Sequence, residues 1–256
     1  MTTYQGGKKR IGKRIHDVIV EVENDLELNL DYLEPFVGMG GVIKHFGKDN
    51  DKKLYASDVN KDLVLMWKAL QKGWLPPKKC SRQKYEKLKE SKTHSAERGY
   101  IGVVASWGGI FFHAYRLDYA KNKDFMAEGY RGIADILPYI ENIKFKHSSY
   151  EDVNPSGMLI YCDPPYRGNK LGLNKHSFFQ NFDHNKFWET MRKWSRNNIV
   201  FISEWKAPKD FKKIWSAKSH VIINQTEAKK YNDNLYIHNS IYKNISKKTL
   251  KNVKQI

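Results

Sequence analysis

The hydrophobic residues near the start of the chain recur with the period of a helix. Ile11, Ile15, Val18 and Val22 fall on one side of a helix drawn over residues 8–25, and the lysines and arginines of this stretch lie largely on the other sides. The spacing predicts an amphipathic first helix.

Short apolar stretches then alternate with helical ones. Residues 32–37 and 53–57 predict two strands, which are joined by a glycine-containing turn and a helix that begins at Val42. This order predicts an α/β fold with a mixed, Rossmann-like central sheet. The further predicted elements are helices at residues 60–72 and 184–196, strands at residues 143–147, 158–162 and 199–203, and C-terminal strands at residues 219–224 and 235–243.

The alternation breaks at residues 73–77, a Gly-Trp-Leu-Pro-Pro segment, and resumes near residue 143. We therefore expect a main domain of residues 1–72 and 143–256, interrupted by a mainly helical insertion of residues 73–142. Within this basic insertion, residues 117–132 predict a hairpin. The aromatic side chains of the insertion are expected to form mostly a small core. They are Trp107, Phe111, Phe112, Tyr115 and Tyr119.

Composition narrows the class of partner. Forty-five Lys and Arg against 28 Asp and Glu give the chain a formal charge of +17, which favours a phosphate polyanion through counterion release. A lysine-rich genome gives the same surplus, so charge alone does not decide. No apolar run approaches the roughly 20 residues of a membrane span, and the first residues form no secretory core. Cys80 and Cys162 form no zinc pattern, so we expect a soluble, intracellular protein without a metal.

Two segments predict little fixed structure. Glycine, asparagine and lysine crowd residues 167–175, and the tail from Lys243 onward is basic and poor in apolar residues. We expect the loop to move or to order with substrate, and the tail to be frayed, with a phosphate contact as a weaker alternative.

A glycine turn follows the first predicted strand. The segment Glu34–Gly41 contains Gly38 and Gly40, where the absence of a side chain lets the backbone approach a ligand closely. Asp58 stands 18 residues after Gly40, at the end of the next predicted strand, where a carboxylate can accept hydrogen bonds from ribose hydroxyls. The third glycine of the dinucleotide fingerprint is absent, which favours a nucleoside over NAD. A purely structural turn is the alternative.

An acid, two prolines and an aromatic residue close the apolar run of residues 158–162. Asp163 and the carbonyl of Pro164 can each accept one hydrogen of an amino group, Pro165 stiffens the turn, and Tyr166 can stack on a base. Because an amino nitrogen conjugated to a ring is a poor nucleophile, two such acceptors suit methylation of a nucleobase amino group. A strand that stops at Asp-Pro-Pro for structural reasons is the other interpretation.

Five segments, in chain order, are similar to the motifs of one family: residues 4–8 (Tyr-Gln-Gly-Gly-Lys), 34–40 (Glu-Pro-Phe-Val-Gly-Met-Gly), 56–60 (Ala-Ser-Asp-Val-Asn), 148–152 (Ser-Ser-Tyr-Glu-Asp) and 161–166 (Tyr-Cys-Asp-Pro-Pro-Tyr). The chain resembles the Dam-type DNA adenine-N6 methyltransferases, the alpha class or D12 family. In that family the cofactor motif precedes the recognition region and the catalytic motif comes last. The resemblance covers residues 4–72 and 143–205.

The resemblance implies an S-adenosylmethionine-dependent enzyme that needs no metal and methylates adenine N6 in duplex DNA after flipping the base, as in restriction-modification. Residues 73–142 would be the target-recognition domain, and the remainder the catalytic domain. Our candidate DNA contacts there are Arg116, Lys121, Lys123 and Arg131. The implied cofactor-binding residues are Tyr4, Lys8 (toward the cofactor carboxylate), Phe36, Gly38, Gly40, Asp58, Ser149, Tyr150 and Asp163, and the implied catalytic residues are Asp163, Pro164, Pro165 and Tyr166.

The chain departs from the family at three places. Ser203-Glu204-Trp205 stands where many members have Ser-Asn, the Asn-Arg…Asn-Gly-Leu-x-Arg recognition pattern is missing, and Thr3 replaces a lysine that touches DNA in some members. GATC specificity is therefore not carried over. Two rival hypotheses stay open: an RNA-adenine or cytosine-N4 methyltransferase, and a catalytically silent DNA-binding module of the same fold. We expect the protein in a bacterial cytoplasm or a viral replication compartment.

Overall fold

A computed structural model gives the structure of residues 7–47, 51–116, 124–168, 181–222 and 228–256. In these ranges the strands are β1 (Asp31–Glu34), β2 (Leu54–Asp58), β3 (Ile143–His147), β4 (Met158–Cys162), β5 (Ile199–Glu204), β6 (Phe211–Ile222) and β7 (Ala228–His238). They form one sheet in the order β3-β2-β1-β4-β5-β7-β6. β1 to β5 run parallel, whereas β7 runs antiparallel to both of its neighbours. The predicted α/β fold with a mixed, Rossmann-like sheet is confirmed.

Helices cover both faces of this sheet. In the same ranges they are α1 (Gly12–Asp25), α2 (Ile43–Phe46), α3 (Lys61–Gln71), α4 (Arg82–Glu90), α5 (Ala96–Val104), α6 (Phe125–Ala134), α7 (His184–Trp194), α8 (Asn239–Tyr242) and α9 (Lys247–Asn252). Every one of these helices is too short or too polar to span a lipid bilayer.

β4 shows why its sequence is apolar at every position. Leu159 and Tyr161 belong to the larger buried cluster, which includes residues of α1 and α3, while Ile160 and Cys162 belong to a second cluster formed with α7. A parallel strand with helices on both faces buries all of its side chains, which produces a continuous apolar run instead of an alternating one. The acid that follows the run is thereby held at the edge of a rigid strand.

Most predicted elements lie close to their expected positions. β3 and β4 have the predicted bounds, and α3 and α7 begin and end within a few residues of the predictions. Asn60 explains where α3 begins, because its side chain accepts hydrogen bonds from the backbone N–H groups of Asp62 and Leu63.

The prediction of a hairpin at residues 117–132 is wrong for its described part. Residues 125–132 lie in α6, whose N-terminus is capped by the Asp124 carboxylate, an acceptor for the Ala127 N–H at 2.9 Å. Residues 117–123 lie outside the described residues.

The bounds predicted for the two C-terminal strands are also wrong. β6 and β7 begin earlier than residues 219 and 235, and they form one long antiparallel ladder from the Phe211–His238 pair onward. Residues 239–242, which were predicted to continue the last strand, form α8. The lysines of β6 interrupt its apolar alternation, and this hid the strand from pattern analysis.

The basic tail forms a docked helix, so the expectation of fraying is wrong. Asp25 accepts hydrogen bonds from the Ser246 N–H and hydroxyl and from the Thr249 hydroxyl, and Val253 is fully buried. These contacts attach α9 to α1, more than 220 residues earlier in the chain. Local composition carries no sign of so distant a partner.

Residues 73–142 contribute side chains to the hydrophobic core that packs against the sheet. α5 packs against α3, and the buried residues Val104 and Phe112 belong to the same cluster as Trp67. Phe111, Phe112 and Tyr115 are buried as expected, but they belong to the large cluster and form no separate small core. Trp107 is half-buried, and Tyr119 lies outside the described residues. The division into a catalytic and a recognition domain stays a prediction.

A buried ion pair also joins the insertion to α3. The Asp62 carboxylate in α3 is fully buried, and it accepts hydrogen bonds from the Arg98 guanidinium and, at 2.9 Å, from the Ser95 N–H. Arg98 in turn lies over the ring of Phe112.

Candidate active site

The glycine turn and the acidic turn lie side by side at one edge of the sheet. β1 and β4 are parallel neighbours with Leu33 opposite Ile160, so their carboxyl ends meet there. The glycine turn follows β1, and Asp163 follows β4 directly. Ligands of open α/β sheets bind at this carboxyl edge. The fold therefore brings together the two motifs that the sequence singled out.

Asp58, at the end of β2, holds the glycine turn by its backbone. One carboxylate oxygen accepts the Gly38 N–H at 2.9 Å, and the other accepts the Asn60 N–H at 2.8 Å. Burial raises the pKa of Asp58, while these N–H groups act in the opposite direction. Since a carboxylate offers about four acceptor positions, it can still receive hydroxyl donors from a ligand.

The glycines of the turn are required by its geometry. Gly38 and Gly40 have φ values of 46° and 64°, in the left-handed region that costs other residues about 1–2 kcal/mol. A methyl group on Gly40 would also lie 3.1 Å from the Ile136 side chain. The indole N–H of Trp67 donates to the Gly38 carbonyl at 2.9 Å and so fixes the turn from the α3 side.

Close packing of the start of α1 against the glycine turn brings Lys8 near the acidic turn. A methyl group on Gly12 would lie 2.1 Å from the Gly41 carbonyl oxygen, and one on Gly41 would lie 3.1 Å from the Lys8 backbone nitrogen. The start of α1 therefore lies directly against the glycine turn. A side chain at position 12 would prevent this approach, which places Lys8 at the carboxyl edge of the sheet.

Two aromatic residues that the resemblance assigned to the cofactor lie together. The ring centroids of Phe36 and Tyr150 are 5.3 Å apart, and Phe182 and Phe187 pack against both rings. The Ser149 hydroxyl accepts the N–H of Glu151 at 3.2 Å and so begins the 3₁₀ turn that carries Tyr150.

These residues fit a nucleoside cofactor. The buried hydroxyls of Ser57 and Tyr150 find no hydrogen-bond partner among the described residues. Together with the side-chain-free backbone at Gly38 and Gly40 and the acceptors of Asp58, they offer polar groups beside an aromatic surface. Tyr4, another expected cofactor contact, lies outside the described residues.

Lys8 and Asp163 form the central contact of the acidic turn. Lys8 Nζ lies 2.7 Å from Asp163 Oδ1 and 4.9 Å from the centre of the Tyr166 ring. The two side chains are 5% and 17% exposed, so the ion pair is largely shielded from water. The ammonium that the resemblance directs toward a cofactor carboxylate is thus bonded to the carboxylate of the protein itself. Its cofactor role stays a prediction.

Burial shifts the protonation of three acids around this lysine. Burial raises the pKa of Asp163 to about 6, although the Lys8 ammonium favours the charged form. The pKa of Glu34 lies well above its usual range because of burial, with the Asp163 charge adding to the effect. Burial also raises the pKa of Glu204 to about 7. Buried acids with such shifts, gathered at a ligand-binding edge, are typical of functional sites.

Two residues of this site were not among those predicted from the sequence. Tyr166 Oη donates to Asp233 Oδ1 at 3.0 Å, and the Arg167 N–H donates to Glu204 Oε2 at 3.0 Å. Asp233 lies in β7 and reaches the site through the antiparallel return of that strand, which no local pattern reveals. Glu204 was visible as a departure from the family, in the place where many members have asparagine.

The remaining predicted residues have different surroundings. Pro164 is buried and Pro165 is partly exposed in the acidic turn. The guanidinium carbon of Arg116 lies 3.4 Å from the centre of the Phe125 ring, and Arg131 is exposed on α6. The other two candidate DNA contacts, Lys121 and Lys123, lie outside the described residues. Over the ranges that the structure covers, no three His, Cys, Asp or Glu side chains group to hold a metal ion.

Several solved structures share the general fold at low identity. A protein from Pyrococcus horikoshii described as an RNA methyltransferase is 9% identical with a TM-score of 0.40, over 86% of this chain and 80% of its own. A Thermoplasma acidophilum protein is 8% identical with a TM-score of 0.38, over 91% of this chain and 97% of its own. Magnesium protoporphyrin IX methyltransferase from Synechocystis, solved with S-adenosylmethionine, is 10% identical with a TM-score of 0.35, over 90% and 81% of the two chains.

These scores are too low to bear on activity, and a search of curated proteins found no match. The family profile is decisive, because it matches residues 4–128 and 111–228, which together cover both turns of the site. The chain belongs to the D12 class N6 adenine-specific DNA methyltransferase family.

Proposed function

We propose that this methyltransferase transfers a methyl group from S-adenosylmethionine to N6 of adenine in double-stranded DNA, after the base has been flipped out. Family membership supports the choice of adenine N6 in DNA. The observation that carries the proposal is the acidic turn Asp163–Tyr166, which lies beside the glycine turn with Lys8 on its carboxylate. Two ligands bound at these turns would be neighbours.

The residues around the glycine turn would hold the cofactor. Phe36 and the backbone at Gly38 and Gly40 would shape the site of its methionine portion, Asp58 would accept the ribose hydroxyls, and Tyr150 would contact the adenine. When bound, S-adenosylmethionine supplies an electrophilic methyl group on a sulfonium centre.

Asp163 and the Pro164 carbonyl would receive the two N6 hydrogens of the target base. The lone pair of this nitrogen is delocalised into the purine ring, which makes it a poor nucleophile. Acceptors on both hydrogens favour a tetrahedral nitrogen whose lone pair is free to attack. No strong base is needed before attack, because the nitrogen loses its proton readily once it carries the methyl group and a positive charge. Asp163 therefore orients and polarises the amino group.

Lys8 supports this role of Asp163. The carboxylate must be ionised to accept an N–H group, and burial opposes ionisation. The ammonium at 2.7 Å favours the charged form, and with a pKa of about 6 most Asp163 side chains are ionised at neutral pH.

Base flipping would bring adenine to this turn, at a cost of roughly a few kcal/mol for unstacking and unpairing. Tyr166 is suited to stack on the extruded base, and its hydroxyl is anchored on Asp233. The net charge of +17 would attract the DNA backbone. We propose residues 73–142 as the target-recognition domain, with Arg116 and Arg131 among its DNA contacts.

Methyl transfer can be tested by incubating the purified protein with duplex DNA and S-adenosylmethionine labelled in the methyl group. After nuclease digestion, the label is expected in N6-methyldeoxyadenosine. Asp163→Ala should abolish transfer and leave the affinity for DNA largely unchanged. Asp17→Ala, a change on the surface of α1, should keep parental turnover, and equal turnover by the Asp163 variant would refute its assigned role.

The same digestion separates the rival functions. Label in N4-methylcytosine, or in RNA but not DNA, would replace the proposed substrate while keeping the reaction. Calorimetric titration with S-adenosylmethionine tests the hypothesis of a catalytically silent DNA-binding module. A parent protein that binds DNA but no cofactor would contradict catalysis of any kind.

A further inference from the structure

Glu204 connects the segments that follow β4 and β5. It is the last residue of β5 and is 2% exposed. Its Oε2 accepts the Arg167 N–H at 3.0 Å, and its Oε1 accepts the Trp205 N–H at 2.6 Å. Arg167 directly follows the acidic turn, so one carboxylate links the exit of that turn to the exit of the neighbouring strand.

Trp205 is fixed from its other side by β7. Its carbonyl oxygen accepts the Asn234 side-chain amide at 2.8 Å and the Tyr236 hydroxyl at 3.2 Å. Its indole ring meets the Tyr166 ring edge-on, with centroids 5.4 Å apart. A displacement of Trp205 would therefore reach Tyr166.

Tyr166 thus depends on Glu204 in two ways. The residue after it is held through its backbone, and the indole beside its ring is held through the backbone of Trp205. We infer that Glu204 is a positioning residue of methyl transfer, which sets the Tyr166 ring where the flipped adenine stacks. This inference rests on the proposed function, because it assumes a base at Tyr166.

The two acceptor oxygens of glutamate are both used at this position. The carboxylate receives two backbone N–H groups at once, whereas a side-chain amide has a single acceptor oxygen. A buried acid costs free energy: burial raises the pKa of Glu204 to about 7, with Asp163 adding to this effect while Lys8 and the two N–H groups oppose it. A residue needed only to fill space would not require a charge.

Glu204→Gln tests the inference, because glutamine keeps the size of the side chain and loses one of its two acceptors. We expect kcat on duplex DNA to fall about tenfold, as for one lost charge-assisted hydrogen bond. The Kd for S-adenosylmethionine should stay close to the parental value, because the glycine turn and Asp58 are untouched. The melting temperature should fall by no more than the loss of one buried hydrogen bond produces, on the order of a few degrees for a chain of this size. Glu189→Gln, an exposed change on α7, is the matched control and should behave as the parent.

Two results would overturn the inference. A parental kcat in Glu204→Gln would remove any role in positioning. A loss of kcat accompanied by an equal loss of cofactor affinity and a collapse of the melting temperature would make Glu204 a residue of the fold alone.

A second variant keeps the test decisive if Glu204→Gln does not fold. Tyr236→Phe removes one of the two hydrogen bonds to the Trp205 carbonyl and leaves the Glu204 carboxylate intact. About a threefold fall in kcat with unchanged cofactor affinity supports the inference, and a parental kcat contradicts it. Failure of the proposed function can be told apart from failure of this inference, because in that case the parent protein itself would place no methyl group on adenine.

Discussion

The Lys8 ammonium and the Asp163 carboxylate form a 2.7 Å ion pair across 155 residues of sequence. Lys8 precedes α1 and Asp163 follows β4, so this contact joins the N-terminal segment to the acidic turn of the site. The pair is shielded from water, and the protonation of Asp163 therefore depends on whether Lys8 is present.

Removal of Lys8 should move the pH dependence of methyl transfer. Asp163 has a raised pKa of about 6, so its accepting, ionised form grows as pH rises through this value, and kcat should rise with it. Without the ammonium the pKa goes higher still, and the rise in kcat should move to higher pH in Lys8→Met. At pH values below the pKa of Asp163, each rise of that pKa by about one unit lowers the ionised fraction, and with it kcat, about tenfold. The measurement is kcat at saturating substrates between about pH 5 and about pH 9, a range that brackets the acid limb of the profile.

Lys13→Met is the control for this profile, since the Lys13 side chain is 72% exposed and pairs with Asp17 away from the site. If Glu204 positions Tyr166 as inferred above, its ionisation should add a second inflection near its pKa of about 7, and Glu204→Gln should remove that inflection. An unmoved acid limb in Lys8→Met would show that the ion pair does not control Asp163 during turnover.

Gly12→Ala should weaken cofactor binding, although Gly12 lies in α1 and not in the glycine turn itself. The added methyl group would lie 2.1 Å from the Gly41 carbonyl oxygen, so α1 and the turn must separate. We expect about 3 kcal/mol of lost stability, typical of overpacking, and a measurable rise in the Kd for S-adenosylmethionine by calorimetry.

Gly73→Ala provides the comparison for Gly12→Ala. Gly73 has a φ of 83°, but a methyl group there meets nothing within 4 Å. Its cost should be limited to backbone strain of about 1–2 kcal/mol, with unchanged cofactor affinity. Equal effects of the two changes on cofactor affinity would disprove the proposed contact between α1 and the turn.

Asp25→Ala should release α9 without affecting catalysis. The change removes acceptors for three hydrogen bonds from Ser246 and Thr249, and we expect a loss of about 1–2 kcal/mol. Desolvation raises the pKa of Asp25, but the hydrogen bonds from Ser246 and Thr249 together outweigh it and lower the pKa, so the contribution of Asp25 is present above pH 3.8 and is lost as pH falls through the lowered value. Hydrogen exchange of the α9 amides and melting curves at several pH values measure both effects.

Asp17→Ala on the same helix is the matched control, because the exposed Lys13–Asp17 pair is worth only about 0.3–0.5 kcal/mol. If Asp25→Ala left the exchange of α9 unchanged, the helix would be held by Val253 and its apolar neighbours instead.

Arg98→Leu should destabilise the whole protein. The change leaves the buried Asp62 carboxylate without its guanidinium partner, and breaking such a pair costs about 3–5 kcal/mol. Chemical denaturation should show a lower midpoint. Lys84→Leu removes a half-exposed pair with Glu97 and should cost less than about 1 kcal/mol. Similar midpoints for the two variants would mean that Asp62 is solvated in solution.

The sequence was sufficient for the fold and for the two turns of the site, because both depend on local pattern. A continuous apolar run predicted the buried strand before Asp163, and the glycine pair predicted the turn before Asp58. In contrast, Asp233 reaches Tyr166 through strand pairing, and Asp25 reaches Ser246 from the opposite end of the chain. Such contacts depend on tertiary geometry that no window of sequence contains.

The contact of Lys8 with Asp163 is likewise tertiary. The resemblance directs its charge outward to a ligand, whereas the close packing of Gly12 on Gly41 directs it to Asp163. The hairpin expected at residues 117–132 is wrong from residue 125 onward, because Asp124 caps the N-terminus of α6 there.

The common core of Trp67, Val104 and Phe112 has a practical consequence for protein engineering. A chimaera that exchanges residues 73–142 with those of a relative would replace α5, which packs on α3, together with Arg98, the partner of Asp62. Transplantation would succeed only if α3 travelled with the exchanged segment, because the packing surfaces of α3 and α5 must match.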